Sequence, residues 1–312
     1  MIFVQTILLA AHLLAMNVAA SGPLACIAVQ WVRFRDRTIG DQLGRRLAHW
    51  SLGCFGLGAV IGLANGWLLW IGGNAEYFAA LERLPSKIYF GLWELAFYVL
   101  CMVIYIAWWK WLPPRSAAGR IGHAIVALAA ASNLLWHFPA LMTAIAHLAA
   151  TSPEGETINA AGFRELIFQA ELASRWLHVW IASFATCALL TSWLAHAELA
   201  RRPLASDDRD AASLNGVVTW GGRIALLATL SQVPLGMWVL LSSGNAEQAR
   251  LMGGNIWATG LLVTSILTAL ALMHQLAAIA LGNATARNLR LALLLLSLTI
   301  TAMSATLVIS RA

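Results

Sequence analysis

Eight long apolar stretches, near residues 3 to 30, 47 to 71, 88 to 111, 121 to 149, 168 to 197, 217 to 242, 254 to 280 and 289 to 309, govern what this chain can fold into. A helix crosses a bilayer core with roughly 20 apolar residues. Inside lipid the backbone must satisfy its own polar groups, which helices do within a single segment. The chain is 60% hydrophobic and 11% charged, with a mean hydropathy of +0.73, and no soluble domain of ordinary make-up has that balance. The pattern predicts an all-α, polytopic membrane helix bundle of eight transmembrane helices, forming one domain over residues 1–312 with no linker long enough to divide it.

Eight crossings put both termini on one side, and the distribution of Lys and Arg says which. The connections after spans one, three, five and seven, together with Arg223 at the base of span six, hold 14 of the 20 basic residues. The alternate connections hold Arg83, Lys87, Arg164, Arg175, Arg250 and Arg311, diluted by seven glutamates. The arginine-rich side is therefore read as cytoplasmic, giving an N-out, C-out topology. The net charge of +6 reflects that topology and contact with anionic lipid. No basic, aromatic-studded soluble segment suggests nucleic acid. The first span begins at residue 2 without a basic leader or a small-x-small cleavage site, and is expected to be retained. Cys26, Cys54, Cys101 and Cys187 all fall in apolar stretches, without a C-x-x-C, and read as buried hydrophobes.

Ionisable groups inside a membrane are costly, so each is a functional candidate. On this topology His12, His147 and His178 lie toward the outer side and His137 near mid-depth. His49, His123, His196 and His274 lie toward the cytoplasmic side, and Glu94 stands inside the third span. Neutral imidazole is a common axial ligand of haem iron, with Met or a second His opposite, and a helical bundle supplies such pairs from facing helices. Interfacial histidines with wetted tips give the same pattern, so spacing leaves both readings open. No phosphate-binding glycine loop, H-E-x-x-H or G-x-S-x-G is present.

Several segments, in order along the chain, resemble subunit I of the cytochrome bd quinol oxidases. QTILLAAHLLAMNVAASG (Gln5 to Gly22) is similar to that family's first helix, whose single His binds haem iron, and His12 occupies the matching position. GLANGWLLWIGGNAEYF from Gly62, WWKWLPPR from Trp108 and ASNLLW from Ala131 also find counterparts. SRWLHVWIASF (Ser174 to Phe184) resembles the segment whose His ligates the low-spin haem b, which implies that role for His178. RLMGG (Arg250 to Gly254) resembles R-I-M-x-G, which implies Met252 as the opposite ligand and Arg250 beside the haem. The topology puts both near the outer surface, a depth compatible with one haem. His178, between Trp176 and Trp180, also fits an interfacial aromatic belt. The resemblance implies a multi-pass protein of the bacterial inner membrane carrying one or two haem b groups.

The departures are as informative. The family's long outer loop, which shapes its quinol site, is replaced by SSGNAEQAR, and its G-R-Q-P-W motif and the glutamate before it are missing. The leading expectation is a haem b electron-transfer subunit of a respiratory redox complex. It would work near the outer surface between quinol or another redox subunit and a cytochrome c-type partner. A second is an oxidoreductase subunit of a bd-type quinol oxidase, with His12 and Glu94, the candidate catalytic residue, around an oxygen-binding haem; His137 and His147 are further haem-ligand candidates under either reading. A third is a non-redox transporter or scaffold: Pro139 and Pro234 are expected to interrupt their helices, but the matching halves that a transporter would show are missing from the sequence.

Overall fold

The structure, a computed structural model, describes residues 2–111, 116–201 and 208–311. Arg115 and Arg202, and the LPPR end of WWKWLPPR, fall outside the described residues. Eight long helices match the eight apolar stretches: α1 (Ile2–Gln30), α2 (Arg37–Ile71), α4 (Pro85–Trp111), α5 (Ala117–Thr151), α7 (Ala170–Arg201), α8 (Arg209–Ser242), α10 (Ile256–Ala280) and α11 (Ala286–Arg311). All eight are long and apolar enough to cross a membrane. Three short helices, α3 (Ala75–Glu82), α6 (Ala160–Ile167) and α9 (Asn245–Ala249), and a π turn (Arg250–Gly254), lie in connections at the end opposite the arginine-rich one.

Several long helices outrun their apolar stretches at the arginine-rich end. α2 begins ten residues before its hydrophobic run, where the Asp36 carboxylate caps it by accepting from the Thr38 N–H. Ile39, Leu43 and Leu47, spaced one turn apart, are buried and carry the extension against the bundle. α8 likewise starts at a cap, Asp208, and buries Ala211, Leu214 and Val218. Pro139 and Pro234 do not interrupt their helices, contrary to expectation: α5 and α8 run through them. In a membrane bundle the freed backbone groups are tolerated where neighbouring helices shield them.

α1 sits centrally, packed against α2, α5, α7 and α11. Its small residues explain how. Ala15, Ala19, Ala20, Ser21 and Gly22 are buried, and a Cβ on Gly22 would lie 2.5 Å from Ser51 Oγ, so α1 and α2 meet at backbone distance. The Ala19 carbonyl there accepts from both Ser51 Oγ and Tyr98 Oη, each at 3.0 Å. A second apolar cluster occupies the outer end, where Leu84 and Ala80 meet Leu141, Leu148, Phe163, Ile167, Leu172 and Trp176. The Trp176 indole N–H closes it by donating to the Ile167 carbonyl at 3.0 Å.

Candidate functional site

His178 lies eight residues into α7 from its outer end. Its side chain is partly buried; Nδ1 is fully enclosed and has no hydrogen-bond partner. Gln232 of α8 donates to the His178 carbonyl at 2.9 Å, fixing the two helices in register at this level. Gly236, one turn farther along α8, faces the ring: a Cβ there would stand 3.9 Å from Cε1. The chain thus holds an imidazole against a wall without side-chain bulk and gives its enclosed nitrogen nothing to bind. A buried polar atom without a partner in a native fold calls for a ligand, an ion or a water.

An ion-pair network sits one turn above. Arg175 Nη2 donates to Glu247 Oε2 at 2.6 Å, lies 3.0 Å from Glu171 Oε1 and also reaches Ser243 Oγ, bridging α7 to the α8–α9 connection. His147 of α5 brings Nδ1 to 3.4 Å from the same Glu171 oxygen. Sequence reasoning missed this cluster. The only local signal was the four-residue spacing of Glu171 and Arg175, which puts them on one helix face.

The π turn carries Arg250 and Met252. Gly253 adopts φ +114°, a conformation open to glycine, and the Gly253 N–H donates to Thr259 Oγ1 at 3.0 Å. Arg250 Nη1 donates to the Ser310 carbonyl at 2.7 Å, tying the turn to the end of α11. Met252 is 70% exposed. The turn packs on α9 and α10, so Met252 and Arg250 stand at the bundle's outer rim rather than within it.

His12 reaches from α1 to α2. Its Nδ1–H donates to the Gly58 carbonyl at 2.8 Å, and the ring lies over Gly62, where a Cβ would come within 2.8 Å of Cε1. A carbonyl on Nδ1 fixes the tautomer and leaves Nε2 with its lone pair, the arrangement that orients metal-binding histidines. His137 differs. Its Nε2–H donates to the Lys87 carbonyl at 3.1 Å, and Nδ1 faces Glu94 Oε2 at 3.6 Å inside a ring of Phe90, Phe138 and Phe163. With Nε2–H already donating, the Nδ1 lone pair and the carboxylate repel unless a proton lies between them. At that distance the two do not hydrogen-bond: Glu94 Oε2 is buried without a partner, and of the His137 nitrogens only Nε2 is engaged.

Toward the arginine-rich end, His123 is fully buried. Its Nε2–H donates to the Tyr105 carbonyl at 2.9 Å, Nδ1 meets Gln30 Oε1 at 3.2 Å, and the ring stacks on Tyr105 at 3.6 Å. His49 bonds the Arg45 carbonyl and His274 is exposed. These are packing and surface histidines.

Haem fits some of these positions better than others. His178 offers an unpartnered enclosed nitrogen beside a glycine, and His12 offers a free Nε2 with its other nitrogen anchored. The structure does not bury Met252 with His178, and it engages the Arg250 guanidinium with a backbone carbonyl. Among the described residues no group of three or more His, Cys, Asp or Glu side chains is placed to hold a bare metal ion. Two-ligand axial binding needs no such group.

The architecture defines the chain as a multi-pass membrane protein built as an all-helical bundle with histidines at several depths. Its fold is that of bd oxidase. The bd oxidase from Geobacillus thermodenitrificans superposes with a TM-score of 0.70 over 97% of this chain and 85% of that one, at 14% sequence identity. No protein-family model matches the chain, and no curated protein does.

Proposed function

We propose that this chain is a membrane-embedded haem b electron-transfer subunit of a respiratory redox complex. Electrons would pass near its outer surface between quinol or a redox subunit and a cytochrome c-type partner. The observation that carries the reading is His178, an enclosed and unpartnered imidazole in a bundle with the bd oxidase fold. Haem, when bound, supplies a one-electron carrier whose potential follows its axial ligands and surroundings. His178 would hold the iron, Gly236 leaves room beside the ring, and Gln232 sets the helix register that aims it. Met252, exposed on the π turn, would be the second residue to hold the haem. Arg175, held by two carboxylates one turn above His178, fixes the outer end of α7.

The test is the reduced-minus-oxidised spectrum of the purified protein, wild type against His178→Ala. A b-type α-band in the wild type, lost or strongly weakened in the variant, is expected. Absence of a Soret band from the wild type would eliminate the haem reading and leave a transporter or scaffold. A band unchanged in the variant would remove His178 from the ligand set.

One observation favours a second reading, that of an oxygen-reducing subunit. Glu94, a carboxylate at mid-depth with a buried, unpartnered oxygen, faces His137, and His12 presents a free nitrogen from α1. Carbon monoxide separates the two, since it shifts the reduced spectrum only where a coordination position is open.

A further inference from the structure

At the arginine-rich end, a cleft of about 530 Å³ opens between α8 and the α10–α11 connection, lined by Asn215, Gly216, Thr219, Trp220, Arg223 and Gly282. That volume is in the range of small-molecule sites. Arg223 Nε donates to the carbonyl of Ala280, the last residue of α10, at 3.1 Å. That bond leaves both terminal nitrogens of the guanidinium for another partner. It also sets the depth: the charge lies where α10 ends, at the level of the headgroups, with the exposed indole of Trp220 one turn beyond.

Among the described residues no carboxylate lies within ion-pair distance of Arg223. The sequence contains no Asp or Glu from 211 to 246 or from 248 to 312, which covers most of α8 and all of α10 and α11. Arg287 and Arg290, in the first turns of α11, add to the positive field at this end. Cations at a membrane surface without acidic partners attract anionic lipid.

The same face of α8 continues into the bilayer. Gly216, Trp220, Arg223, Leu227 and Leu230 follow at alternating steps of four and three, all exposed, so an apolar track runs from the guanidinium down the helix. Gly216 has open space where a Cβ would be, and Gly282 turns the opposite wall at φ +93°, so neither narrows the cleft. We propose that this cleft is a binding site for an anionic phospholipid of the arginine-side leaflet. Arg223 takes the phosphodiester, Asn215 and Thr219 offer hydrogen bonds to the headgroup, and the acyl chains lie along Leu227 and Leu230.

Native mass spectrometry of the full chain in detergent tests this, with phosphatidylglycerol, phosphatidylcholine and inorganic phosphate as probes. Phosphatidylglycerol adducts should exceed phosphatidylcholine adducts, and Arg223→Gln should weaken phosphatidylglycerol binding roughly five-fold. Arg209→Gln, the same loss of charge elsewhere on α8, should leave it unchanged. Gly216→Leu fills the cleft without touching the charge, and should reproduce the loss even if Arg223→Gln folds poorly. Equal binding of the two lipids, or binding unaffected by both cleft variants, overturns the proposal. Displacement of phosphatidylglycerol by millimolar inorganic phosphate would assign the site to free phosphate and overturn the lipid. A co-purifying quinone lost in Arg223→Gln, with no change in lipid, would do the same.

Discussion

Gly62→Ala tests the seating of His12 directly. A Cβ at residue 62 would stand 2.8 Å from Cε1 and 3.0 Å from Nδ1 of His12, against ordinary contacts of 3.4–4 Å. The ring must retreat by about 0.7 Å, which stretches the 2.8 Å bond to the Gly58 carbonyl to about 3.5 Å, beyond useful hydrogen bonding. Losing that bond costs about 1 kcal/mol, and overpacking adds about 1–3 kcal/mol. Replacing a helical glycine by alanine returns about 1 kcal/mol. Gly62→Ala is therefore expected to destabilise the fold by about 1–3 kcal/mol. In a His12→Ala background the obstruction is gone, and the same change should stabilise by up to about 1 kcal/mol. The assay is a double-mutant cycle by SDS titration in mixed micelles, followed by tryptophan fluorescence. The signature is a reversal of sign between the two backgrounds. An effect of Gly62→Ala that agrees in both backgrounds to within about 0.5 kcal/mol would refute the placement of His12 over α2.

The other structural predictions concern the links between α7 and α8. Arg175→Ala strands Glu171 and Glu247 without their shared cation in a partly buried setting, and should lower stability in the same titration by about 2 kcal/mol, with Arg175→Lys recovering part of it. Gly221→Ala would drive a Cβ to 2.3 Å from Ser192 Oγ and 2.8 Å from the Ala188 carbonyl, a backbone atom that cannot step aside. It should cost about 2–3 kcal/mol, whereas Gly53→Ala and Gly56→Ala, with nothing within 4 Å, should be neutral or mildly stabilising.

The long helices were legible in the sequence because lipid imposes a length and an apolar composition that local reading detects. The extensions were not, because Arg37 to Arg46 is polar overall and its helix is held by Ile39 and Leu43 packing on the bundle, a tertiary effect. α3, α6 and α9 were missed for a related reason: eight or fewer residues of mixed polarity carry too little periodicity to register. Within the site, the histidines announced themselves by residue type. What each one does depended on partners far along the chain. His137 differs from His12 because the Lys87 carbonyl takes its Nε2 and leaves Nδ1 facing a carboxylate, whereas the Gly58 carbonyl takes Nδ1 of His12 and leaves Nε2. The Arg175–Glu247 bond joins residues 72 apart, and no local pattern could have paired them.

The unequal ends of the bundle affect how anything soluble can approach it. α2, α7 and α8 run for 35, 32 and 34 residues, which is roughly 50 Å of rod against a hydrocarbon layer of about 30 Å. Most of the excess projects at the arginine-rich end as a palisade of helix ends that holds a visitor away from the membrane plane. At the opposite end the long rods stop sooner, and the short helices α3, α6 and α9 and the π turn follow. His178, eight residues down α7, is then roughly 12 Å of helix rise below that end. His178 therefore lies a shorter distance from that end than from the arginine-rich one, where 23 further residues of α7 follow it.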